Sequence, residues 1–555
     1  MTSEQLPPRL SVPGALFAEL ATGGGSREAL ALLERGERHR RLLLLRTALD
    51  RLDGLATPLT APAENWRRLR EAARHAPEPV ERLLLAPQTG SWLAHLLRRA
   101  HGTAPGPPLW AEAGHLGALA VSAALHAGTE ADVLVPLDDG AVHLPGLGTV
   151  RLPYAPAGLT VGHLLVDGRG TLTLSSSDAT PGAVRCRPVT APARPGRSTP
   201  PDPCWTPLRT LDAGPVTIPL DDLHPYRDLD EPVPPARLDA DEAAVWQDLF
   251  DEAAALLARA GDGGLDLTLV RAVVPWGRTA TMPPAPPHVR VSASSGDSFG
   301  AMVIARPGNA LALAETFVHE FQHSKLGALL HLLPLLDDDR VERYYAPWRA
   351  DPRHRTGLLH GAYAFTGVTG FWYGLLGHPT HGEAAAYHFA LRRLQTRLVV
   401  RTLLTEGGLT APGRRLVEGL AHSLDGWLRV PVRPDALARA RTAAALHRTE
   451  WRLRNVLPAP PGAAPRLRTP GGSWPDLRTH ALAVPPAAPR TGDEHLAAGN
   501  PAGALARYDD DLRLAPDDPH VLAGWIVARA TVHPGRTARR LLARPERTRQ
   551  SLPSR

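Results

Sequence analysis

Two histidines four residues apart constrain the fold of this chain more than any other feature. They belong to the segment His-Glu-Phe-Gln-His at 319–323. On an α-helix, residues four apart lie on one face with Cβ atoms about 6 Å apart, so both imidazoles can reach the same ion. On a strand the same residues would lie about 13 Å apart. The spacing therefore predicts a helix on which His319 and His323 bind a metal, with Glu320 as the associated catalytic carboxylate.

The residues before this segment favour the same interpretation. A β-prone stretch at 298–304 is broken by Pro307 and Gly308, and Asn309 is a suitable N-cap for a helix at about 310–333. With 24 histidines in the chain, chance would produce the pattern only about 0.05 times. The alternative is an amphipathic helix whose two histidines bind no metal. The rarity of the pattern makes that alternative the weaker one.

Composition places the chain among ordinary globular proteins. It has 555 residues, 43% hydrophobic and 21% charged, enough for a large core and more than one folding unit. Lys325 is the single lysine, and the net charge of +6 is small for this length. We attribute the arginine bias to a GC-rich genome and expect no nucleic-acid partner. Since no signal peptide or membrane-spanning apolar run is recognisable, we expect a cytoplasmic protein without membrane contact.

Helical and strand-like patterns divide the chain into six regions. Region 1–130 is predicted to be helical, 131–306 to be β-rich and mixed, and 307–456 to be the helical metal-binding catalytic region, and the sequence leaves open whether the last two form one domain. A Pro-rich linker at 457–490, a helical hairpin similar to a tetratricopeptide repeat at 491–530, and a disordered Arg-rich tail at 531–555 complete the chain. The predicted fold class is α+β and mainly helical. A double-stranded β-helix is not expected, because no His-x-Asp…His pattern lies on predicted strands.

A two-histidine site needs at least one more protein ligand. His360 lies in the apolar segment Gly-Leu-Leu-His-Gly at 357–361, which we expect to be helical and buried. Glu383, on a later helix, is the carboxylate that a zinc peptidase would use. An isolated histidine on an apolar face is more often a core residue than a ligand. The third ligand therefore stays open, with His360 preferred and Glu383 as the main alternative. The weaker alternatives are His354, His378, His381 and His388.

An aromatic and basic segment lies between the motif and His360. It contains Tyr345, Arg349, Asp351 and Arg353. Beside a metal, an arginine can hold a ligand carboxylate through two hydrogen bonds, and a tyrosine can add another. The alternative is a packed surface turn in which Arg349 pairs with Asp351. Chemistry alone leaves the two interpretations equally open.

Several stretches of this sequence resemble a known family, the actinobacterial HEXXH-domain proteins. The matching stretches are His-Glu-Phe-Gln-His-Ser-Lys-Leu at 319–326, Tyr-Tyr-Ala-Pro-Trp-Arg at 344–349, Gly-Leu-Leu-His-Gly-Ala-Tyr-Ala-Phe at 357–365, and Phe-Ala-Glu-Leu-Ala-Thr-Gly-Gly-Gly at 17–25. The resemblance covers about residues 9–455. The first motif alone is generic, whereas the motifs together in this order are specific.

The resemblance implies an activity and a set of site residues. Members of that family are regarded as iron(II)- and 2-oxoglutarate-dependent β-hydroxylases of ribosomally made peptides. It implies that His319 and His323 are iron ligands, with His360 as the matching third ligand. The basic segment of the family maps onto Arg349 and Arg353, which would bind the carboxylates of 2-oxoglutarate, with Tyr345 beside them. The expected substrate is a precursor peptide, modified at a side-chain Cβ.

Two other classes of function stay open. A zinc metallopeptidase would use Glu320 as the general base that takes a proton from metal-bound water. A non-catalytic scaffold would bind peptides and recruit a protein partner through the repeat-like hairpin. An oxygenase needs no such base, and two arginines fit a dicarboxylate better than they fit cleavage of a peptide bond. The residues therefore favour the oxygenase, and the zinc peptidase is the main alternative.

Overall fold

The computed structural model describes residues 11–176, 182–188, 203–228, 231–261, 265–276, 292–458, 466–468 and 482–550. Most of the predicted linker at 457–490 lies outside these residues. The chain forms two compact units. The first contains Leu30–Leu256 and Leu265–Leu332, and the second contains Val12–Ala29, Leu257–Gly264 and Leu333–Arg555.

Helices make up most of the described structure. They are α1 (Gly14–Ala21), α2 (Arg27–Leu52), α3 (Pro62–His75), α4 (Pro77–Leu85), α5 (Pro87–Ala100), α6 (Leu109–Ala113), α7 (His115–Ala127), α8 (Ala240–Ala260), α9 (Ala310–Leu332), α10 (Arg355–Gly374), α11 (Gly382–Thr405), α12 (Ala411–Leu428), α13 (Pro434–Asn455), α14 (Gly492–Ala497), α15 (Pro501–Leu514), α16 (Pro519–Val532) and α17 (Arg536–Ala543). Short 3-10 helices occur at Leu267–Leu269 and Pro545–Gln550.

Strands are concentrated in the middle of the sequence. They are β1 (Ala131–Asp138), β2 (Ala141–Leu144), β3 (Gly148–Arg151), β4 (Leu159–Val166), β5 (Leu172–Ser176), β6 (Ala183–Cys186), β7 (Trp205–Pro207), β8 (Arg209–Ala213), β9 (Val216–Leu220), β10 (Ala272–Pro275), β11 (Ser292–Ala293), β12 (Ala301–Ile304), β13 (Val456–Leu457) and β14 (Arg466–Leu467). The predicted fold class, α+β and mainly helical, is confirmed, and the described strands form no double-stranded β-helix.

The first unit contains a seven-stranded antiparallel sheet, in the order β6-β5-β4-β1-β2-β3-β7. Alternate residues of β1 are buried, as expected for a strand with one face on a core. Val133, Val135 and Leu137 form that buried face and share a core with Val121 of α7. β1 pairs with β4 along its whole length, from Ala131 opposite Val166 to Asp138 opposite Leu159.

A second sheet of the first unit leads into the motif helix. Its order is β11-β12-β10-β9-β8, with β12 parallel to β10 and antiparallel to β11. All four residues of β12 are buried, and the chain then turns into α9. The side chain of Asn309 accepts a hydrogen bond from the backbone N–H of Ala312 at 2.9 Å, so the predicted N-cap is confirmed. This cap and β12 together position the start of α9.

Helices form most of the described part of the second unit. α11 packs against α10, α12 and α13, and α13 also contacts α16. The hairpin of α15 and α16 buries Tyr508, whose ring lies where a side chain at Gly492 or Gly524 would otherwise be. A single helical hairpin cannot bury its own apolar face, and here that face packs on α13.

Two sequence-based expectations differ from this structure. The composition of residues 531–555 predicts disorder, but Arg536–Ala543 is helical and Ala538 is buried. Glu546 is also buried, and Arg452 of α13 binds it through two hydrogen bonds of 3.0 and 2.8 Å. Although this segment has a polar composition, it is ordered by the burial of Ala538 and by the ion pair between Glu546 and Arg452 of α13. The expected boundary at 306/307 lies inside the first unit, because α9 packs on β11 and β12.

A glycine at the start of α12 provides a test of the second unit. A Cβ at Gly413 would lie 1.7 Å from the carbonyl oxygen of Leu335, which as backbone cannot easily move. Gly413→Ala is therefore expected to lower the free energy of unfolding by about 1–3 kcal/mol. A Cβ at Gly426 of the same helix would have no atom within 4 Å, so Gly426→Ala should leave stability unchanged or raise it by up to about 1 kcal/mol. Urea denaturation measures both, and equal effects would contradict the close approach.

Candidate metal centre

Helix α9 brings the two motif histidines together. The Nε2 atoms of His319 and His323 lie 3.1 Å apart, and their ring centroids lie 4.7 Å apart. The helix is anchored on its other side by Phe317, which is fully buried and packs on Phe250 of α8 at 5.8 Å between ring centroids. The predicted helix and the predicted convergence of the two imidazoles are both present in the structure.

Glu320 is the third polar group of the cluster. Its side chain is almost completely buried, and Oε1 accepts a hydrogen bond of 2.6 Å from the hydroxyl of Ser292. Its second oxygen, Oε2, is buried and has no hydrogen-bond partner among the described residues. β11 pairs Ser292 with Ile304 of β12, and this pairing brings the hydroxyl to the helix. Sequence reasoning missed Ser292, because nothing local distinguishes a serine 28 positions before the glutamate it contacts.

These three groups form a donor set that fits a metal ion. One ligand atom from each of His319, Glu320 and His323 lies within 4.8 Å of the others. Metal–nitrogen bonds of about 2.0–2.1 Å place two ligand nitrogens roughly 2.9–3.4 Å apart, depending on whether the geometry is octahedral or tetrahedral. The observed Nε2 separation of 3.1 Å falls in that range. It is also a hydrogen-bond distance for one protonated and one unprotonated ring. Two imidazoles and a buried carboxylate oxygen suit iron(II) as well as zinc.

The expected third ligand, His360, belongs to the second unit and lies on α10. Its side chain is half-buried. Burial lowers the pKa of His360 to about 4, and the neighbouring charges of His354, Arg340 and Arg353 act in the same direction. The imidazole is therefore neutral at pH 7, the form that binds metals. Its role as a ligand stays a prediction.

The alternative third ligand, Glu383, also lies in the second unit. It occupies the first turn of α11, and its side chain is 52% exposed. One of its oxygens lies 3.7 Å from a guanidinium nitrogen of Arg439 on α13. An exposed carboxylate in a loose ion pair has an ordinary structural role, so nothing in its surroundings favours it as a ligand over His360.

The segment expected to bind 2-oxoglutarate forms an ordered turn in the second unit. Arg349 donates to one oxygen of Asp351 at 3.0 Å, and Arg353 donates to the other at 3.2 Å. Burial raises the pKa of Asp351, but the two guanidinium groups outweigh it and hold the pKa below its usual value. The structural alternative, in which Arg349 pairs with Asp351, is thus observed. The assignment of both arginines to the co-substrate stays a prediction.

Tyr345 of the same segment faces α13. Its hydroxyl lies 2.9 Å from Nδ1 of His447, and its ring packs edge-on against Trp451 at 5.1 Å between centroids. These contacts hold the start of the turn on α13. They give Tyr345 a structural role, and its expected contact with a co-substrate stays a prediction.

Comparison with models of known protein families finds no match, and comparison with curated proteins finds none either. Within the described part of the chain, no helix has the length and apolar character needed to cross a membrane. The assignment of function therefore depends on the site itself and on the resemblance of the sequence motifs.

Proposed function

We propose that this chain is an iron(II)- and 2-oxoglutarate-dependent hydroxylase that acts on a side-chain Cβ of a ribosomally made precursor peptide. The observation that carries the proposal is the convergence of His319 and His323, with Nε2 atoms 3.1 Å apart, beside the buried Glu320. The resemblance to the actinobacterial HEXXH-domain proteins supplies the reaction class. When bound, iron(II) would supply the activation of O₂ coupled to decarboxylation of 2-oxoglutarate.

In this proposal, the residues around the metal site in the first unit have distinct roles. His319 and His323 bind the metal through Nε2. Ser292 donates to Oε1 of Glu320, the oxygen that lies 4.0 Å from Nε2 of His319, and so holds the carboxylate beside the metal without making it a ligand. The buried apolar side of α9 keeps the helix rigid, so the two histidines do not have to be ordered when the metal binds.

The proposal also includes the partners of the enzyme and its place in the cell. A precursor peptide is the proposed partner in the active site, and the protein is proposed to act in the cytoplasm without binding nucleic acid. The hairpin of α15 and α16 packs on α13 with its buried face. Its outer face is the surface proposed for a protein partner.

A zinc metallopeptidase is the second candidate, and one observation favours it. Glu320 lies in the same cluster as the two histidines and keeps one oxygen without a partner among the described residues. This arrangement suits a general base that takes a proton from metal-bound water. The peptidase therefore needs Glu320 as a base, whereas the hydroxylase does not. A substitution of Glu320 can test this difference.

Glu320→Gln separates the two candidates. For the hydroxylase, the iron-loaded variant is expected to retain its metal and to form succinate from 2-oxoglutarate within about 100-fold of the wild-type rate, as for other outer-shell changes. For the peptidase, the zinc-loaded wild type would cleave an unfolded polypeptide such as casein, and the variant would bind zinc without cleaving. Ser292→Ala is the matched control, since it removes the hydrogen bond and keeps the carboxylate. Cleavage of casein that depends on Glu320 would overturn the hydroxylase assignment.

A further inference from the structure

A deeply buried arginine of the second unit has one edge of its guanidinium without an acceptor. Arg392 of α11 is 8% exposed. Its Nη1 donates to the side-chain oxygen of Gln395 at 3.1 Å. Its Nε is closed off from solvent and has no hydrogen-bond partner among the described residues. Nη2 makes no hydrogen bond to those residues either, but it keeps contact with solvent, so a ligand can reach this edge.

Two other arginines of the second unit are buried as deeply, and the chain provides acceptors for both. Arg393, the next residue of α11, donates to two backbone carbonyl oxygens at 2.6 and 2.7 Å. Arg439 of α13 lies 3.7 Å from a carboxylate oxygen of Glu383 and 3.8 Å from one of Asp435. Arg392 differs from both, because its single acceptor is a neutral amide oxygen.

No counter-charge for Arg392 is present in the described part of the second unit. The guanidinium forms no ion pair with those residues, and none of their buried carboxylate oxygens lacks a hydrogen-bond partner. Burying an unpaired cation is costly, so buried charges are normally paired. A negatively charged group that binds from outside the chain would provide this pairing.

The guanidinium is also held in one orientation. Its central carbon lies 4.8 Å from the ring centroid of Phe365, and that ring is stacked with Trp348 at 4.5 Å between centroids. Gln395, which accepts from Arg392, donates its own amide hydrogen to the carbonyl oxygen of Pro347 at 3.0 Å. A planar guanidinium fixed in this way loses little conformational freedom when it binds a planar anion.

We infer that Arg392 binds a carboxylate group of a ligand, which accepts a hydrogen bond from Nη2. A guanidinium and a carboxylate are both planar and form short, charge-assisted hydrogen bonds. The single positive charge compensates one carboxylate, whereas a phosphate group carries a higher charge at pH 7 and would stay partly unpaired.

Under the proposed function, two ligands carry such a group: 2-oxoglutarate and an acidic side chain of the precursor peptide. The inference rests on the proposed function only for this choice of ligands. Arg349 and Arg353, which the resemblance assigns to 2-oxoglutarate, both donate to Asp351. With 2-oxoglutarate as the ligand, Arg392 would supply the unpaired guanidinium that those two arginines do not.

Calorimetric titration of the full chain, loaded with iron(II) under anaerobic conditions, tests the site with two pairs of ligands. The first pair is 2-oxoglutarate and 2-oxopentanoate, which lacks the second carboxylate. The second pair is the α-amide of N-acetylglutamate and that of N-acetylglutamine. In one pair the acid is expected to bind about 10- to 100-fold more tightly, the range for a hydrogen bond to a charged group.

Variants of α11 assign this preference to a residue. Arg392→Met keeps an unbranched side chain beside Phe365 and is expected to remove the preference. Arg392→Lys keeps a cation without the planar fork and is expected to retain only part of it. Arg397→Met is the matched control on the same helix, since Arg397 pairs with Asp425 at 2.6 Å, and it should retain the full preference.

Each outcome decides the inference. A preference in the first pair that Arg392→Met removes identifies the co-substrate as the ligand, and one in the second pair identifies an acidic side chain. No preference in either pair, or a preference that Arg392→Met retains, would overturn the inference. If Arg392→Met does not fold, an undiminished preference in Arg392→Lys would overturn it as well.

This experiment fails separately from the proposed function. Succinate formation by a wild type that shows no preference for either acid would overturn the role of Arg392 and leave the hydroxylase proposal standing. A preference that depends on Arg392 in a protein that forms no succinate would support the carboxylate site and count against the hydroxylase alone.

Discussion

His323→Ala is expected to lower metal affinity by more than about 100-fold, beyond the range typical of changes outside the first coordination shell. The variant removes one of two nitrogen atoms that lie 3.1 Å apart, so that His319 and Glu320 are what remains of the three-residue cluster. The measurement is metal content after iron(II) or zinc loading and gel filtration. The wild type should carry one equivalent and the variant close to none.

The third histidine of the same helix is the control for this experiment. His331 lies in the last turn of α9, where Nδ1 is 3.1 Å from a carboxylate oxygen of Glu37. His331→Gln keeps a donor for Glu37 and should leave metal content unchanged. Equal metal loss in both variants would show that α9 has been perturbed as a whole. Full retention of metal by His323→Ala would remove the basis of the metal site.

Mild acid is expected to destabilise the first unit, because three buried histidines meet in its core. His115 begins α7, His143 lies in β2 and His224 follows β9, and each is less than a tenth exposed. The ring of His224 lies 5.0 Å from that of His115 and 4.6 Å from that of His143, between centroids. The buried cation Arg227 lies close enough to disfavour a further positive charge.

The direction of the pH effect follows from the lowered pKa values. Burial lowers the pKa of His115 and of His143 to about 3, and it lowers the pKa of His224 well below its usual value. In the unfolded chain these groups titrate near about pH 6.5, so the unfolded state binds more protons below that pH. Their stabilising contribution is complete above about pH 6.5 and is lost as the pH falls toward about 3. At pH 5 the loss is about 2 kcal/mol for each histidine that stays neutral.

Hydrogen exchange of α7 at pH 7.5 and pH 5.0, corrected for the intrinsic exchange rate, measures this loss within the first unit. His143→Gln removes one titrating group. It is expected to reduce the difference in the opening free energy of α7 between pH 7.5 and pH 5.0 by about 2 kcal/mol. His101 is exposed at the end of α5, so His101→Gln should leave the difference unchanged. Identical protection of α7 at both pH values would contradict the expectation.

Features encoded by neighbouring residues could be predicted from the sequence. The start of α9 depends on Asn309 and on the residues just before it, and the convergence of His319 and His323 depends only on helical spacing. The mainly helical α+β class followed from the periodicity of apolar residues. These features are set within about one helical turn or one strand, which is the range over which a pattern can be interpreted without knowledge of the fold.

Features that depend on distant residues could not be predicted in this way. The hydrogen bond from Ser292 to Glu320 requires the pairing of β11 with β12, and the histidine cluster joins a helix, a strand and a loop. The helix at 536–543 is ordered by contacts that its own polar composition does not show. The third metal ligand remains a prediction for the same reason, because it depends on how separate parts of the chain come together.

The most direct test of the central proposal is succinate formation. The protein is loaded with iron(II) under anaerobic conditions, mixed with 2-oxoglutarate, and then exposed to O₂, with His323→Ala in parallel. Turnover uncoupled from the peptide can be followed without the true substrate. The proposal predicts succinate from the wild type and none above background from the variant. The contradicting result has two parts. Wild-type protein loaded with a full equivalent of iron forms no succinate, and the protein as purified holds zinc tightly and cleaves casein. Together these observations would establish the peptidase.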